Sequence, residues 1–344
     1  MGRWARLPNH PFSDRAERGT FAHVLGVEAR PRGAAAGFRH QALIYDDDDR
    51  FFAGVSGFVT AAVDANEPVA VVVAASKIDR LRRELGREGD QVQYADMTEV
   101  GSNPARIIPV WRDFVDGHPT AARLRGVGEP MWAGRSHAEM AECQLHESLL
   151  NVAFAGVSDF HLVCPYDASA LDPETIALAE HTHPTMERDG HLEPSTAYDG
   201  PSGALGLFTT PLPRPDADVD ELRFTLGPLH DVRRFVADAA RRAGLTGERV
   251  DDVVLAANEI ASNSVLHGGG AGVIRTWQLR DTFLCEVRDA GQIGDPLVGR
   301  VRPRREEMNG RGVWMANELC DLVQVRSPAT GTVVRLHMRV SPRT

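Results

Sequence analysis

The spacing of hydrophobic residues changes near residue 200, and this change predicts two domains. Before that point, short apolar runs alternate with segments of helical period. Residues 68–74 form a continuous, mostly β-branched run, as expected of a strand buried on both faces. Residues 51–65 and 138–155 have the 3.6-residue period of amphipathic helices. This alternation predicts an α/β domain with a mostly parallel sheet at residues 38–198.

The second region predicts an α+β domain over residues 221–344. Helices are expected at 231–243, 250–267 and 312–320, and hairpins at 272–288 and 322–340. Residues 199–220 are rich in Pro, Gly and polar side chains, so we interpret them as a linker. Residues 1–37 are rich in Arg, Ala and Gly and are predicted to be a flexible N-terminal segment.

The predicted helix over residues 250–267 combines a buried stripe with a polar one. Glu259, Asn263 and His267 follow one another at four-residue intervals, which stacks their side chains along one line of the helix. An Asn oxygen can ligate Mg²⁺, and a Glu one turn earlier can act as a base. Taken alone, this spacing is more typical of a solvated helix face than of a binding site.

Three further motifs follow that helix in a fixed order. Asp289 closes a predicted strand just before Gly291, where a carboxylate can accept a hydrogen bond from an adenine amino group. The segment Gly310-Arg311-Gly312 precedes a helix, whose free N–H groups favour phosphate, and Arg311 adds a charge-assisted contact. Thr332 begins a predicted strand, where its hydroxyl can reach an adenine ring. Each motif is common in isolation, as a turn or a glycine-containing loop.

Together, the order and spacing of these motifs resemble the GHKL (Bergerat-fold) ATPases, and more narrowly the anti-sigma-factor serine kinases, over residues 221–340. The resemblance implies bound ATP and Mg²⁺. It assigns Asn263 to the metal ion, Glu259 to the role of catalytic base, and Asp289 with Gly291 and Thr332 to adenine. Gly310, Arg311 and Gly312 would then border the phosphates through the ATP lid.

This sequence departs from the family pattern in two places. The first glycine motif reads Gly291-Gln-Ile-Gly294, without the usual glycine two places after Gly291, and the second is short. The lid, roughly residues 294–309, is rich in arginine. The chain also lacks a phospho-accepting histidine on a dimerisation hairpin before this domain, which argues against a standard sensor histidine kinase.

The first region resembles the MEDS sensory domain over about residues 38–198. The motifs that carry this resemblance are His40–Tyr45, Glu67–Val73, Gly128–Trp132, His146–Asn151 and Leu162–Asp167. The resemblance implies a fold related to the RecA-like ATPases. Because no G-x-x-x-x-G-K-[ST] loop is present, we expect a signal-binding domain for a small organic compound and no second ATPase.

Several polar residues of this region are candidates for a metal or ligand site. They form a loose set: His40, Glu129, Glu142, Cys143, His146 and Cys164. Cys143 and His146 have the i,i+3 spacing of a helical chelate, yet structural zinc usually needs four ligands. Buried hydrogen-bonded polar residues are the more common outcome. His181 and His183 border Pro184, which favours a surface loop.

Charge, cysteine content and the length of apolar runs limit the possible partners and the cellular location. The formal charge of −10 argues against a general nucleic-acid or anionic-membrane binder. A local basic patch is still expected at Arg300, Arg302, Arg304 and Arg305. The four cysteines form no C-x-x-C pair, and no apolar run has transmembrane length, so we expect a cytoplasmic protein without disulfides.

The sequence therefore predicts a cytoplasmic, signal-responsive serine/threonine kinase of the anti-sigma type. It would bind a sigma factor, phosphorylate an anti-anti-sigma (STAS) protein, or both, under control of the sensory domain. A nucleotide-gated switch that sequesters a partner without transferring phosphate is the main alternative. A sensor that has lost nucleotide binding is a third. A homodimer is expected from the resemblance alone.

Overall fold

The computed structural model describes residues 37–227, 229–303 and 310–340. Seven strands form its N-terminal sheet: β1 Phe38–Tyr45, β2 Val69–Val73, β3 Gln93–Asp96, β4 Leu124–Gly128, β5 Phe160–Asp167, β6 Thr185–Arg188 and β7 His191–Pro194. They lie in the order β3-β2-β4-β5-β1-β6-β7. Every neighbouring pair is parallel except β6 and β7, which confirms the predicted α/β architecture.

The helices of this domain connect the parallel strands: α1 Asp48–Asp64, α2 Ala75–Leu85, α3 Met97–Val100, α4 Ile107–Asp116, α5 His137–Ala153 and α6 Pro173–Thr182. Two 3-10 turns lie at Gly89–Gln91 and Pro104–Arg106. Helix α5 begins at a capping box in which Ser136 and Glu139 satisfy each other's backbone N–H groups. Most of α5 is buried, because the sheet and the C-terminal domain both pack on it.

The C-terminal domain is an antiparallel sheet with helices. Its strands and helices are β8 Asp220–Thr225, α8 His230–Arg242, α9 Glu248–His267, β9 Ala271–Leu279, β10 Thr282–Asp289, α10 Arg311–Leu319, β11 Leu322–Arg326 and β12 Thr332–Arg339. The strand order is β11-β12-β10-β9-β8. Both predicted hairpins form, and Arg280 takes the left-handed conformation in the first turn with a φ of 55°. The predicted α+β architecture is therefore confirmed.

The segment with linker composition contains a helix, α7 (Ser202–Thr209). Ala204 and Phe208 on this helix are fully buried, where α7 packs between α5 and β11. The backbone of Ser327 also donates a hydrogen bond to the carbonyl of Phe208. Residues 199–220 are thus partly a packed element that touches both domains, and strands β6, β7 and β8 are further elements that the sequence did not predict.

The two domains share one hydrophobic core, since buried apolar residues of both sheets belong to a single cluster. Polar contacts accompany it. Successive residues of a strand face opposite sides, and on β12 Arg335 and Arg339 lie on one side. Arg335 donates to the carbonyl of Pro213, and Arg339 pairs with Glu139 of α5. Strand β12 of the C-terminal sheet therefore contacts both the segment between the domains and α5 of the N-terminal domain.

In the described ranges, none of the helices combines the length and apolar character needed to cross a membrane. The predicted flexible segment lies outside these ranges except for Gly37, as do lid residues 304–309.

Candidate functional site

The carboxylate of Asp289 is fixed from two directions at the end of β10. Its Oδ2 accepts a hydrogen bond of 2.6 Å from the Ser264 hydroxyl on α9. Its Oδ1 accepts one of 2.8 Å from the backbone N–H of Gly291 in the following turn. Two donors hold the side chain in one orientation and leave further acceptor capacity for a ligand, because each carboxylate oxygen has two lone pairs.

Glycines allow the end of α9 to touch this turn. A Cβ on Gly268, which follows α9, would lie 2.4 Å from Asp289 Cγ, and a Cβ on Gly291 would lie 2.7 Å from Gly268 Cα. The N–H of Ala290 also donates to the carbonyl of Gly268 at 3.2 Å. Only glycine fits at these two crossing points, so the Asp-Ala-Gly turn and the first glycine after α9 are parts of one structure.

Thr332 lies opposite Asp289 in the β10–β12 ladder. Its hydroxyl donates a hydrogen bond of 2.9 Å to the carbonyl of Gly291 and lies 3.3 Å from the Ser327 hydroxyl. The preceding Gly331 has a φ of 126°, and a Cβ there would lie 2.1 Å from the Asp289 carbonyl oxygen. Thr332 therefore braces the turn that carries Gly291.

Glu259 and Asn263 lie one turn apart on α9, and both are half-buried. The first turn of α10 packs against them at Gly312. A Cβ on Gly312 would lie 2.8 Å from Asn263 Nδ2 and 3.4 Å from Glu259 Cβ. In the described ranges, no hydrogen bond or ion pair involves either side chain, which leaves their oxygens available to a ligand.

The N-terminus of α10 completes this group. Gly310 is its N-cap residue, in the left-handed conformation with a φ of 83°, and Arg311 is its first helical residue. Both are exposed. The free N–H groups of a helix N-terminus favour an anion, and here they lie next to Asn263 through Gly312.

The structure thus forms two groups from the predicted residues. One contains Glu259, Asn263 and Gly312, and the other contains Asp289, Gly291 and Thr332. Ser264 links them, because it follows Asn263 in sequence and bonds Asp289. Sequence reasoning missed Ser264, although it lies four residues after Ile260 on the buried stripe, where a hydroxyl needs a partner.

The predicted basic patch is wrong for Arg300, which lies in the predicted lid. This side chain is buried, and its Nη2 lies 2.5 Å from Glu142 Oε2 on α5. Arg326 on β11 approaches the other oxygen of Glu142 at 2.7 Å. Arg302 is exposed and pairs with Asp113, while Arg304 and Arg305 lie outside the described residues. One buried carboxylate of the N-terminal domain therefore holds two arginines of the C-terminal domain.

A second contact between the domains lies at the other end of α10. The guanidinium of Arg106 donates to the carbonyls of Asn317, Glu318 and Cys320, which are left free where the helix ends. Asn103 adds hydrogen bonds to Asn317. The helix whose first turn packs on Asn263 is thus capped at its last turn by the N-terminal domain.

The candidate ligands of the N-terminal domain separate into different environments. Glu129 binds Lys77 and Tyr45, and burial raises its pKa. Cys143 donates to the Pro130 carbonyl at 3.4 Å, and among the described residues neither Cys143 nor His146 belongs to a group of three or more potential metal ligands. His183 is fully buried rather than on the surface, in contact with Glu147.

The five-stranded antiparallel sheet with α8, α9 and α10 is the α+β architecture of a GHKL-type ATPase. In agreement, residues 222–338 match the family model described as histidine kinase-like ATPase domain. Residues 39–184 match the model of MEDS, the methanogen/methylotroph, DcmR sensory domain. The chain therefore joins a MEDS domain to a histidine kinase-like ATPase domain.

Among solved structures, the chain is similar to the RsbU and RsbW domains of Rv1364c from Mycobacterium tuberculosis. The sequence identity is 22%, the TM-score is 0.26, and the alignment covers 36% of this chain and 34% of that chain. No curated protein matches this chain.

Proposed function

We propose that this chain is a signal-responsive regulator whose C-terminal domain binds ATP with Mg²⁺ and transfers phosphate to a protein serine or threonine. The observation that carries the proposal is the placement of Asn263 and Ser264. These neighbours on α9 contact the first turn of α10 and the Asp289 carboxylate, respectively. One helix therefore contacts both the part of the site proposed for the phosphates and the part proposed for the adenine.

The residue types fit the two ligands. The amide oxygen of Asn263 suits Mg²⁺, a hard cation that prefers oxygen. The α10 N-terminus and Arg311 suit the phosphates. Asp289 suits the adenine amino group, with Gly291 allowing close approach and Thr332 bracing the turn. Glu259 lies one turn from Asn263, where its carboxylate would accept the proton of an attacking hydroxyl.

The family resemblance suggests the partners, a sigma factor and a STAS-type anti-anti-sigma protein, of which the latter carries the target serine. The contacts between the domains support control by the MEDS domain. Glu142 on α5 holds Arg300 of the lid, so a signal that moves α5 would move the lid. The nucleotide and the signal are then coupled through a shared element.

Binding of ATP with and without Mg²⁺ should be measured by calorimetry on wild type, Asn263→Ala and Asn258→Ala. Asn258 lies on the same helix, and its side chain accepts from Arg233 on α8, so its variant is the matched control. We expect Mg²⁺-dependent binding in wild type and Asn258→Ala, and its loss in Asn263→Ala. Absence of ATP binding by the wild-type chain would disprove the proposal.

A switch that binds nucleotide without phosphate transfer is the second candidate, and the burial of Arg300 against Glu142 favours it, because the lid is then held by the other domain. Glu259→Gln separates the two functions. A kinase would lose transfer to a STAS partner while binding ATP normally. A switch would control its partner equally well in Glu259→Gln and lose control in Asn263→Ala.

A further inference from the structure

Four chemically reactive side chains meet in the interior of the N-terminal domain, far along the chain from the ATPase motifs. His40 comes from β1, Cys164 from the adjacent strand β5, Glu147 from α5, and His183 follows α6. One ligand atom from each lies within 4.8 Å of all the others. The side chains of His40, Glu147 and His183 are completely buried, and Cys164 is 1% exposed.

Hydrogen bonds determine which nitrogen of His40 faces this cluster. His40 Nδ1 lies 3.3 Å from the side-chain oxygen of Asn151. The Asn151 amide is oriented by its own NH₂ group, which donates to the carbonyls of Thr182 and Glu147. Its oxygen must therefore accept the proton of His40 Nδ1. In the neutral ring, Nε2 then directs a lone pair toward Glu147 and Cys164.

His183 is held in the same way. Its Nδ1 lies 2.9 Å from the carbonyl of Ala179, a group that can only accept, and 2.9 Å from the Thr182 hydroxyl. The Thr182 hydroxyl donates its own proton to the same Ala179 carbonyl at 3.2 Å, so its oxygen accepts from His183. The ring proton is therefore on Nδ1, and the lone pair of Nε2 points at Glu147 Oε2, 3.3 Å away. A histidine whose outer nitrogen donates to an oxygen, so that the inner nitrogen is free to bind, is the arrangement typical of metal-ligating histidines.

In these tautomers, hydrogen-bond acceptors of the cluster face one another: the Nε2 lone pairs of His40 and His183 both point at the Glu147 carboxylate. Glu147 Oε2 lies 3.1 Å from His40 Nε2 and 3.3 Å from His183 Nε2, and the Cys164 thiol is the one donor among the four groups in these tautomers. Among the described residues, neither Glu147 Oε1 nor His183 Nε2 has a hydrogen-bond partner. Buried polar atoms without partners are costly, by about 1–3 kcal/mol each. A cation in the centre would satisfy all four side chains.

We propose that His40, Glu147, Cys164 and His183 form a tetrahedral site for a divalent transition-metal ion, with Zn²⁺ as the best fit. Two imidazoles, a thiolate and a carboxylate are ligands that zinc prefers. Zinc bonds of about 2.0–2.3 Å place tetrahedral ligand atoms about 3.3–3.7 Å apart. The distances of 3.1 and 3.3 Å from His40 Nε2 to Glu147 and Cys164 are close to that spacing before any adjustment.

Charge balance supports a divalent ion in so dry a place. Binding displaces the proton of the Cys164 thiol to solvent, and the thiolate and the Glu147 carboxylate together offset the two positive charges of the ion. The site would be electrically neutral, so its burial carries a small desolvation cost. All four coordination positions are filled by protein, which indicates a closed site that holds α5 and α6 to the sheet rather than a catalytic one.

The test begins with full-length protein from cells grown in minimal medium supplemented with Zn²⁺ or Co²⁺, because a closed site is loaded as the chain folds. We expect about one zinc ion per chain by elemental analysis. The cobalt form should show intense tetrahedral d–d bands and a thiolate-to-cobalt charge-transfer band. Wild-type protein without bound metal, or a cobalt spectrum without the charge-transfer band, would overturn the proposal.

Two cysteine variants identify the ligand. Cys164→Ser should lose the charge-transfer band, while Cys143→Ser should keep it, because Cys143 is an equally buried thiol of the same domain that bonds the Pro130 carbonyl. A band that survives in Cys164→Ser would reject this site. If Cys164→Ser does not accumulate, the site is tested by comparing the cobalt spectra of Glu147→Gln and wild type. Glu147→Gln should have a lower metal content and shifted d–d bands.

Discussion

Ser264 donates a hydrogen bond of 2.6 Å to the carboxylate of Asp289, and so joins the middle of α9 to the end of β10. The same helix presents Asn263 to the first turn of α10. Two consecutive residues of one helix, Asn263 and Ser264, therefore contact both parts of the candidate nucleotide site.

Replacing Ser264 with alanine should weaken ATP binding about tenfold, because a hydrogen bond to a charged group contributes about 1.5–3 kcal/mol. Asp289 would keep its bond from Gly291 and lose its fixed orientation. Calorimetric titration with Mg·ATP measures the change. Ser262→Ala is the control, because Ser262 lies on the same helix and, within the described part of the chain, bonds the Asn258 carbonyl alone. Equal affinities in the two variants would contradict the role of Ser264.

Replacing Gly312 with alanine should displace Asn263 while leaving the fold intact. The new Cβ would lie 2.8 Å from Asn263 Nδ2, which is the end of a side chain that can move. We expect Mg·ATP affinity to fall by about tenfold or more, with a change in unfolding free energy below about 1 kcal/mol. In Gly57→Ala, on α1 of the N-terminal domain, the added Cβ meets no heavy atom of the described residues within 4 Å, so this control should bind as wild type does.

Replacing Glu142 with glutamine should strongly destabilise the chain. Arg300 and Arg326 are both buried against this carboxylate, and burial together with the charge of Arg326 lowers the pKa of Arg300. Removing the anion leaves two buried cations without a counter-charge, at a cost of about 3–5 kcal/mol. Urea unfolding measures the loss. Asp113→Asn removes the exposed pair with Arg302 across the same boundary and should change stability by less than about 1 kcal/mol.

Acid should unfold the protein partly through His161. Burial, with the charges of Arg39 and Arg125, lowers the pKa of His161 to about 3. The unfolded chain takes up this proton below pH of about 6.5. Protons therefore favour unfolding between these two pH values, and stability that is present above pH 6.5 decreases as the pH falls.

His161→Gln should reduce this acid sensitivity, since glutamine does not titrate and can still donate to Gln41. Between pH 7 and pH 5, wild type should lose about 1–2 kcal/mol more than the variant. Urea unfolding at both pH values compares them. Parallel losses in the two proteins would show that His161 is not a source of the acid sensitivity.

Much of this architecture is predictable from local patterns. The β-branched run at 68–74 gives the buried strand β2, and the hairpins follow from their turns. The strands that were missed lack such a pattern: all of β7 is exposed, and in β8 only Phe224 is buried. Helix α7 was missed because Pro and Gly nearby favoured a linker, while Phe208 is buried only through contacts with distant elements.

The candidate site residues likewise divide into those predictable from local sequence and those that depend on distant contacts. Glu259, Asn263 and Asp289 belong to motifs that are continuous in sequence. The role of Ser264 depends on a contact 25 residues away. His183 was placed on the surface because Pro184 follows it, yet Tyr166 and Glu147 enclose it. Pairings between remote segments have no trace in local spacing, which is why the buried cluster around Glu147 could not be assembled from the chain alone.

Helix α7 affects how this molecule can be divided. This helix packs against α5 of the N-terminal domain and β11 of the C-terminal domain. The carbonyl of its Phe208 accepts a hydrogen bond from the backbone of Ser327, which follows β11. A cut anywhere between residues 199 and 220 leaves one fragment with an uncovered apolar surface. Grafting either half onto a foreign protein would have the same result unless the eight residues of α7 and both their contact surfaces travelled together.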